Sequence, residues 1–249
     1  ELPAYIQRNL TEKRQDITPV KPIPLQKITE KILASLPDNS MTIFRLGHSS
    51  FLLKADISYW LIDPVFSERA SPFSFIGPKR FHQPPISIEA LPKITGVIIS
   101  HNHYDHLDKA AIKLLREKVE HFIVPLGIAD DLKTWGVKAE NIIELDWWQS
   151  TRIANLELTL TPAQHFSGRG LLDGNQTLWG SWVIKSNEQS IFYSGDSGYF
   201  KGFKEIGQKY GPFDLTIIET GAYDKNWPDV HMTPEQSLQA HIDVKGNKM

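Results

Sequence analysis

Cysteine is absent from the chain. Disulfide staples and thiolate ligands are thereby excluded, and any metal site has to be built from histidine, aspartate, glutamate and backbone oxygen. A cysteine-free chain fits a cytoplasmic, a periplasmic or a membrane-peripheral location, so the absence chooses no compartment. No apolar run reaches the roughly 18 residues that would read as a membrane-spanning helix. An excess of one charge is also lacking: 27 Lys and Arg face 29 Asp and Glu, a formal net charge of −2. With a pI of about 6.5, nothing draws the whole surface to nucleic acid, and none is expected as a partner. The chain opens on Glu1 rather than methionine, so a targeting segment upstream would be invisible. What remains is ordinary for a folded protein. The 249 residues, 41% hydrophobic and 22% charged, suit one large α/β domain or two small ones.

The densest chemistry lies in His101-Asn102-His103-Tyr104-Asp105-His106, directly after the apolar run Val97-Ile98-Ile99-Ser100. Alternation in an extended chain points His101 and His103 the same way. The turn that follows can carry Asp105 and His106 toward a second ion. Neutral imidazoles and carboxylates are good ligands for zinc, and manganese or iron would accept the same donors. A histidine-rich surface loop is the plain alternative.

Residues 1–40 are punctuated by Pro3, Pro19, Pro22, Pro24 and Pro37 and read as an N-terminal arm with a short helix near Leu25–Leu36. From Met41 the pattern changes to short β-branched and aromatic strands over Thr42–Leu46, Ser50–Ala55 and Tyr59–Ile62. Residues 64–95 form a long loop, too long for a plain connector. Strand Gly96–Ser100 follows, then a helix over Lys109–Lys118 capped by Asp108. His121–Val124 and Asn141–Leu145 read as strands around a helix near Ile128–Trp135. Further strands are predicted at Arg152–Thr161, Leu178–Lys185, Ser190–Tyr193 and Leu215–Glu219, and helices at Phe203–Tyr210 and Pro234–Val244. Thr233 before Pro234 signals the start of the last helix.

Two more candidate ligands stand at predicted strand ends: His165 in Pro162-Ala163-Gln164-His165, and Asp196 in Ser194-Gly195-Asp196-Ser197-Gly198. Alone, each reads as a surface histidine or a turn aspartate. With residues 101–106 they complete a set that resembles the metallo-β-lactamase superfamily. The blocks Gly47-His48-Ser49-Ser50-Phe51, Asp63-Pro64-Val65-Phe66-Ser67, Gly77-Pro78-Lys79-Arg80, Leu178-Trp179-Gly180-Ser181-Trp182 and Gly211-Pro212-Phe213-Asp214 are similar to the branch of N-acylphosphatidylethanolamine-hydrolysing phospholipase D and its bacterial relatives. The likeness spans residues 41–249.

The resemblance implies an α/β fold, an αβ/βα sandwich of two mixed sheets flanked by helices, with two divalent ions at one edge. It implies that His101, His103 and His165 hold one ion, that Asp105 and His106 hold the other, and that Asp196 bridges them. The family adds a histidine on the second ion in a His-Trp-Gly segment after the helix matching Pro234–Val244. That ligand, and a further strand of the second sheet, would follow Met249. His241, inside the predicted helix, is a poor substitute. The family's histidine matching His231 contacts substrate, and Asp105 would orient the attacking water while ligating. Zinc is the default ion.

Other residues leave alternatives open. Arg169 can contact a phosphate or form a surface ion pair. His48 reads as a brace for a ligand, while His82 and His121 carry no signal. Phe73, Phe75, Ile76 and Phe81, beside Lys79 and Arg80, suit a lipid-facing loop or a loop folded over the core. The leading expectation is a metal-dependent phosphodiesterase acting on a phospholipid, with peripheral membrane contact. A lactonase or another hydrolase of the superfamily, and a non-catalytic metal-binding protein, are the alternatives.

Overall fold

The computed structural model describes residues 18–73, 75–170 and 172–249. A short helix α1 (Glu30–Ala34) precedes strands β1 (Met41–Gly47), β2 (Ser50–Ala55), β3 (Ser58–Ile62) and β4 (Ile94–Ile98). Helix α2 (Lys109–Leu115), β5 (Val119–Pro125), α3 (Ile128–Thr134) and β6 (Ile142–Leu145) follow. The second half holds β7 (Ser150–Ile153), β8 (Leu156–Thr161), β9 (Ser181–Lys185), β10 (Ser190–Tyr193), α4 (Gly202–Tyr210), β11 (Leu215–Ile217) and α5 (Pro234–Asp243).

The strands form two mixed sheets, ordered β1-β2-β3-β4-β5-β6 and β11-β10-β9-β8-β7. The first is an antiparallel meander through β3 that turns parallel from β3 to β6. Strand alternation sends successive side chains to opposite faces. Trp60, Ile62, Ile98 and Ile123 therefore meet Leu158, Leu160, Trp182, Ile184 and Ile191 between the sheets. Leu61, Val97, Phe122 and Val124 face the other way, onto Ile112, Leu115, Ile128 and Leu132 of α2 and α3. In the second sheet Val183 and Phe192 pack on Phe203, Ile206 and Ala240 of α4 and α5. Burial on both faces explains strands that read as continuous apolar runs. The result is the expected αβ/βα sandwich.

Several expected boundaries shift. The run Arg152–Thr161 is a hairpin of β7 and β8, because Ala154 turns the chain in the left-handed region (φ 51°). Helix α1 is shorter than expected: the N–H of Ile28 bonds Pro85 O (3.0 Å), so the chain stays extended until Thr29 caps Glu30–Ala34. Strand β9 starts only at Ser181, since Leu178 and Gly180 donate instead to Leu126 O and Ser100 O. The start of α5 is as read, with Thr233 and Gln236 forming a reciprocal capping box around Pro234. The long loop divides: Ile86, Ile88 and Leu91 are buried under the first sheet, whereas Phe73, Phe75, Ile76 and Phe81 are exposed. At the chain's end, Phe213 bridges Gly246 in parallel and Thr216 N donates to Lys248 O (2.8 Å), so these residues run alongside β11.

β3 and β4 are parallel neighbours, β8 and β10 both run opposite to β9, and β11 runs with β10. Asp63, the 101–106 loop, His165, Asp196 and Glu219 follow the C-terminal ends of β3, β4, β8, β10 and β11 respectively. Strand β4 lies tight against its neighbour. A Cβ at Gly96 would sit 2.3 Å from the ring of fully buried Trp60 and 3.1 Å from Ile123. Gly96→Ala should therefore destabilise the fold by about 1–3 kcal/mol, read as a lower denaturation midpoint in a urea titration; an unchanged midpoint would contradict this packing.

Candidate metal centre

The end of β4 is fixed from both sheets. Ile99 N donates to Ile123 O (3.1 Å), while Gly180 N reaches Ser100 O (3.0 Å) and the Trp182 indole reaches Ile99 O (2.9 Å). From that anchor His101 emerges buried. The N–H groups of His106 and Leu107 both return to His103 O (3.1 and 2.8 Å), closing a tight turn. Asp108 caps α2 through Ala110 N and Ala111 N and also accepts from Phe66 N, Ser67 N and Ser67 Oγ, which ties residues 66–67 to the same turn. The 194–198 loop approaches closely: Gly195 has φ 56°, and a Cβ there would lie 2.8 Å from Ser100 Cβ. Only glycine meets both demands.

Three groups of side chains converge with their ligand atoms within 4.8 Å of one another: His101, His103 and His165; His48, Asp105 and His106; and His101, His106 and Asp196. His103 Nδ1 lies 3.0 Å from His101 Nε2 and 3.2 Å from His165 Nε2. Asp196 faces two ways, with Oδ1 3.2 Å from His106 Nε2 and Oδ2 4.0 Å from His165 Nε2. His48 Nε2 is 3.1 Å from Asp105 Oδ2. The structure thus brings together all six residues singled out as ligands in the sequence, from three strand ends, and adds His48.

The electrostatics separate the groups. Burial pushes His165 down to about 3 and holds His101 and His103 below the usual imidazole range, so all three are neutral near pH 7. For His106, burial is outweighed by Asp196 and Asp105, and its pKa lies well above that of an ordinary imidazole. Burial also raises Asp196 and Asp105, but the His106 cation outweighs it and both carboxyls stay ionised. The donors fit a metal ion. Three neutral imidazoles point nitrogens at a common centre, and the buried His106 Nε2 has no properly formed hydrogen bond. The nitrogen and oxygen set suits zinc, manganese or iron.

Two residues that the sequence reading passed over hold this arrangement. Asp63, fully buried after β3, accepts from Ser100 N (2.7 Å) on Oδ1. Its Oδ2 accepts from Ser100 Oγ (2.5 Å), Tyr193 Oη (2.6 Å) and His106 Nδ1 (2.7 Å). Holding Nδ1–H leaves His106 Nε2 for Asp196 or an ion. Glu219, after β11, accepts from Met232 N (2.9 Å) and stands 3.4 Å from His231 Nδ1. Both are lone carboxylates at strand ends; that position was the signal for Glu219, whereas Asp63 also opens the family-like block Asp63-Pro64-Val65-Phe66-Ser67. For His231, burial lowers the pKa, but Glu219 and Asp196 outweigh it and the net shift is upward.

Arg169 has a different setting from the phosphate contact envisaged in the sequence. Its NH1 donates to Asn102 O (2.6 Å) and Leu107 O (2.7 Å), and the guanidinium lies 4.1 Å from the Tyr104 ring centroid. Tyr104 Oη in turn donates to Arg169 O (2.8 Å). This latch ties both ends of the metal loop to the segment after His165. Arg169 lines a separate cavity of about 640 Å³. The cleft holding His103, Asp105, His165, Asp196 and His231 measures about 800 Å³, and Phe51, Phe166, Ile217, Ile218, Trp227 and Val230 give it an apolar wall.

Residues 59–249 match the beta-lactamase superfamily domain, and the chain belongs to that family. An uncharacterized protein of Mycobacterium tuberculosis is 47% identical over 199 residues, 80% of this chain and 53% of that protein. N-acyl-phosphatidylethanolamine-hydrolyzing phospholipase D 1 of Caenorhabditis elegans is 38% identical over 213 residues, 80% of this chain and 60% of the worm protein. The chain therefore spans little more than half the length of these relatives. A metallo hydrolase of the archaeon Ignicoccus hospitalis has the same fold, with a TM-score of 0.62 at 22% identity over 83% of this chain and 79% of its own.

Two outcomes test the centre. Asp63→Asn puts an amide N–H₂ or a weaker acceptor against donors that now converge on a carboxylate; metal affinity should fall about 10–100-fold in competition with a chromophoric chelator. Loading the neutral triad should release no proton near pH 7, whereas an ion that binds His106 must displace one. Affinity for that second ion should keep rising with pH above the ordinary imidazole range, because the His106 pKa is raised, while the first stays flat near pH 7. Calorimetry in buffers of different ionisation heat reads both, and equal proton release at the two steps would contradict the assignment.

Proposed function

We propose that this protein is a binuclear metal-dependent phosphodiesterase of phospholipase D type, acting on N-acylphosphatidylethanolamine-like lipids. The observation that carries this reading is that the group His101, His106 and Asp196 joins the other two ligand groups, with Asp196 between His106 and His165, in a cleft with an apolar wall. The 38% identity to the worm phospholipase D supports the substrate class.

In this reading His101, His103 and His165 would hold one ion, Asp105 and His106 would hold the other, and Asp196, which faces both His106 and His165, would be shared between them. Paired divalent ions, zinc by default, supply an activated water at neutral pH and neutralise phosphate charge. The chain's own residues do the rest. Asp105, held by His48, orients the attacking water, and Asp63 keeps His106 turned inward. His231 is the substrate-facing side chain, in preference to Arg169, whose guanidinium is taken up by the metal loop. The apolar wall receives the lipid chains and keeps bulk water from them. The exposed Phe73, Phe75, Ile76 and Phe81 support peripheral contact with a bilayer, since aromatic rings partition to the interface.

The test is hydrolysis of N-acylphosphatidylethanolamine in mixed vesicles by metal-loaded protein, with and without chelator. Phosphatidic acid and the N-acyl amino alcohol are the expected products, and chelation should abolish their release. Asp105→Asn should keep the fold by circular dichroism and lower turnover more than about 100-fold, beyond the usual effect of an outer partner. Full activity in that variant, or turnover of lactones but of no phosphodiester, would refute the reading.

A further inference from the structure

The His231 imidazole stands against Asp196, with Nδ1 4.0 Å from Oδ2, and its ring lies 5.3 Å from that of His165. Its backbone is well anchored. Met232 is fully buried in the outer core, and Thr233 caps α5. The Glu219 carboxylate approaches Nδ1 from the end of β11 and is itself immobilised. Its N–H donates to Ser194 Oγ (3.0 Å), its carbonyl accepts from Ser237 Oγ (2.7 Å), and its two carboxyl oxygens accept from Met232 N (2.9 Å) and Gly221 N (3.1 Å). The side chain is only 10% exposed. A residue tied at four points, two on its backbone and two on its carboxylate, with one carboxylate oxygen turned to a histidine that lines the cleft, is more than a turn requires.

We propose that Glu219 is a positioning residue: its carboxylate accepts a hydrogen bond from Nδ1–H of His231 and so leaves Nε2 free to meet the polar group of a bound substrate. Nδ1 is buried, and Glu219 and Asp196 are the acidic partners that face it. Nε2 makes no hydrogen bond among the described residues. The partner held by one ring nitrogen sets which nitrogen carries the proton. The 3.4 Å separation from Glu219 is long for a hydrogen bond, as such contacts commonly are before substrate closes the site. With Nδ1 committed, the imidazole offers the cleft one fixed polar atom beside the apolar wall of Ile217, Ile218 and Trp227. This assignment rests on the reading of the cleft as the substrate site.

Two-bond ¹H–¹⁵N spectra of the metal-free chain, recorded at a pH where His231 is neutral, give the tautomer directly. The wild-type protein should carry the proton on Nδ1, and Glu219→Leu should move the population toward Nε2–H. Finding Nε2–H in the wild type overturns the proposal even if the variant does not fold. The second readout is hydrolysis of bis(4-nitrophenyl) phosphate by the metal-loaded protein. Glu219→Leu should lower kcat/KM about tenfold or more, and by less than about twofold in a His231→Ala background. An undiminished effect in that background overturns the proposal. The spectra need no turnover. A wild type with the Nδ1–H tautomer but no phosphodiesterase activity would sink the functional reading while leaving the pairing intact.

Discussion

The Asp63 carboxylate lies where the two sheets meet and takes four donors from three residues: the backbone and hydroxyl of Ser100, the phenol of Tyr193 and the Nδ1 of His106. Ser100 follows β4 of the first sheet and Tyr193 ends β10 of the second. One buried group therefore sets the spacing between the strand ends that deliver His101 and Asp196. An unpaired carboxylate at this depth would be strongly destabilising. Fully paired, it locks the position of each donor, and through His106 it reaches the metal cluster. Its own place after β3 is set by β3–β4 pairing and by Asp63 N donating to Ile98 O (2.9 Å).

Around that point the site combines rigid strand ends with reciprocal loop contacts. The metal loop is fixed at its start by β9, at its end by the Asp108 cap, and along its outer side by the Arg169–Tyr104 latch. His48 enters from the β1–β2 turn, where Gly47 and His48 both have positive φ, and meets Asp105. Several ligands are thus held by neighbouring groups, His106 by Asp63, Asp105 by His48 and His165 by the Val230 carbonyl, as positioning of a metal requires. The same architecture leaves one side of the cleft apolar, because Ile217, the last residue of β11 paired with β10, and Ile218 just beyond it both line the cleft.

The ligands were readable in the sequence because four of them fall within six residues just after an apolar strand, and His165 and Asp196 stand just beyond other strand runs. The helix at Pro234 was readable for a local reason too, since Thr233, Pro234 and Gln236 form its cap among themselves. Features that depend on distant neighbours were not. The β7–β8 turn at Ala154 carries no glycine or proline to announce it. Arg169 takes carbonyls 62 and 67 residues away. Glu219 looks like any acidic residue at a strand end, Asp63 differs only in opening a family-like block, and the partners of both come from other elements.

The two-sheet sandwich was implied by the family resemblance; by itself the sequence determined short apolar, β-branched runs that read as strands, together with a donor set of imidazoles and carboxylates free of thiols. Both are local properties, set by side-chain chemistry and by the periodicity of the extended chain. The tertiary structure decided which donors meet, which of them burial keeps neutral and which one neighbouring carboxylates keep charged. It also decided that Arg169 secures the loop and that Glu219 stands behind His231. Those outcomes depend on distances of a few ångströms between segments far apart in the chain, and on the loss of water around them, neither of which is encoded in any short stretch of residues.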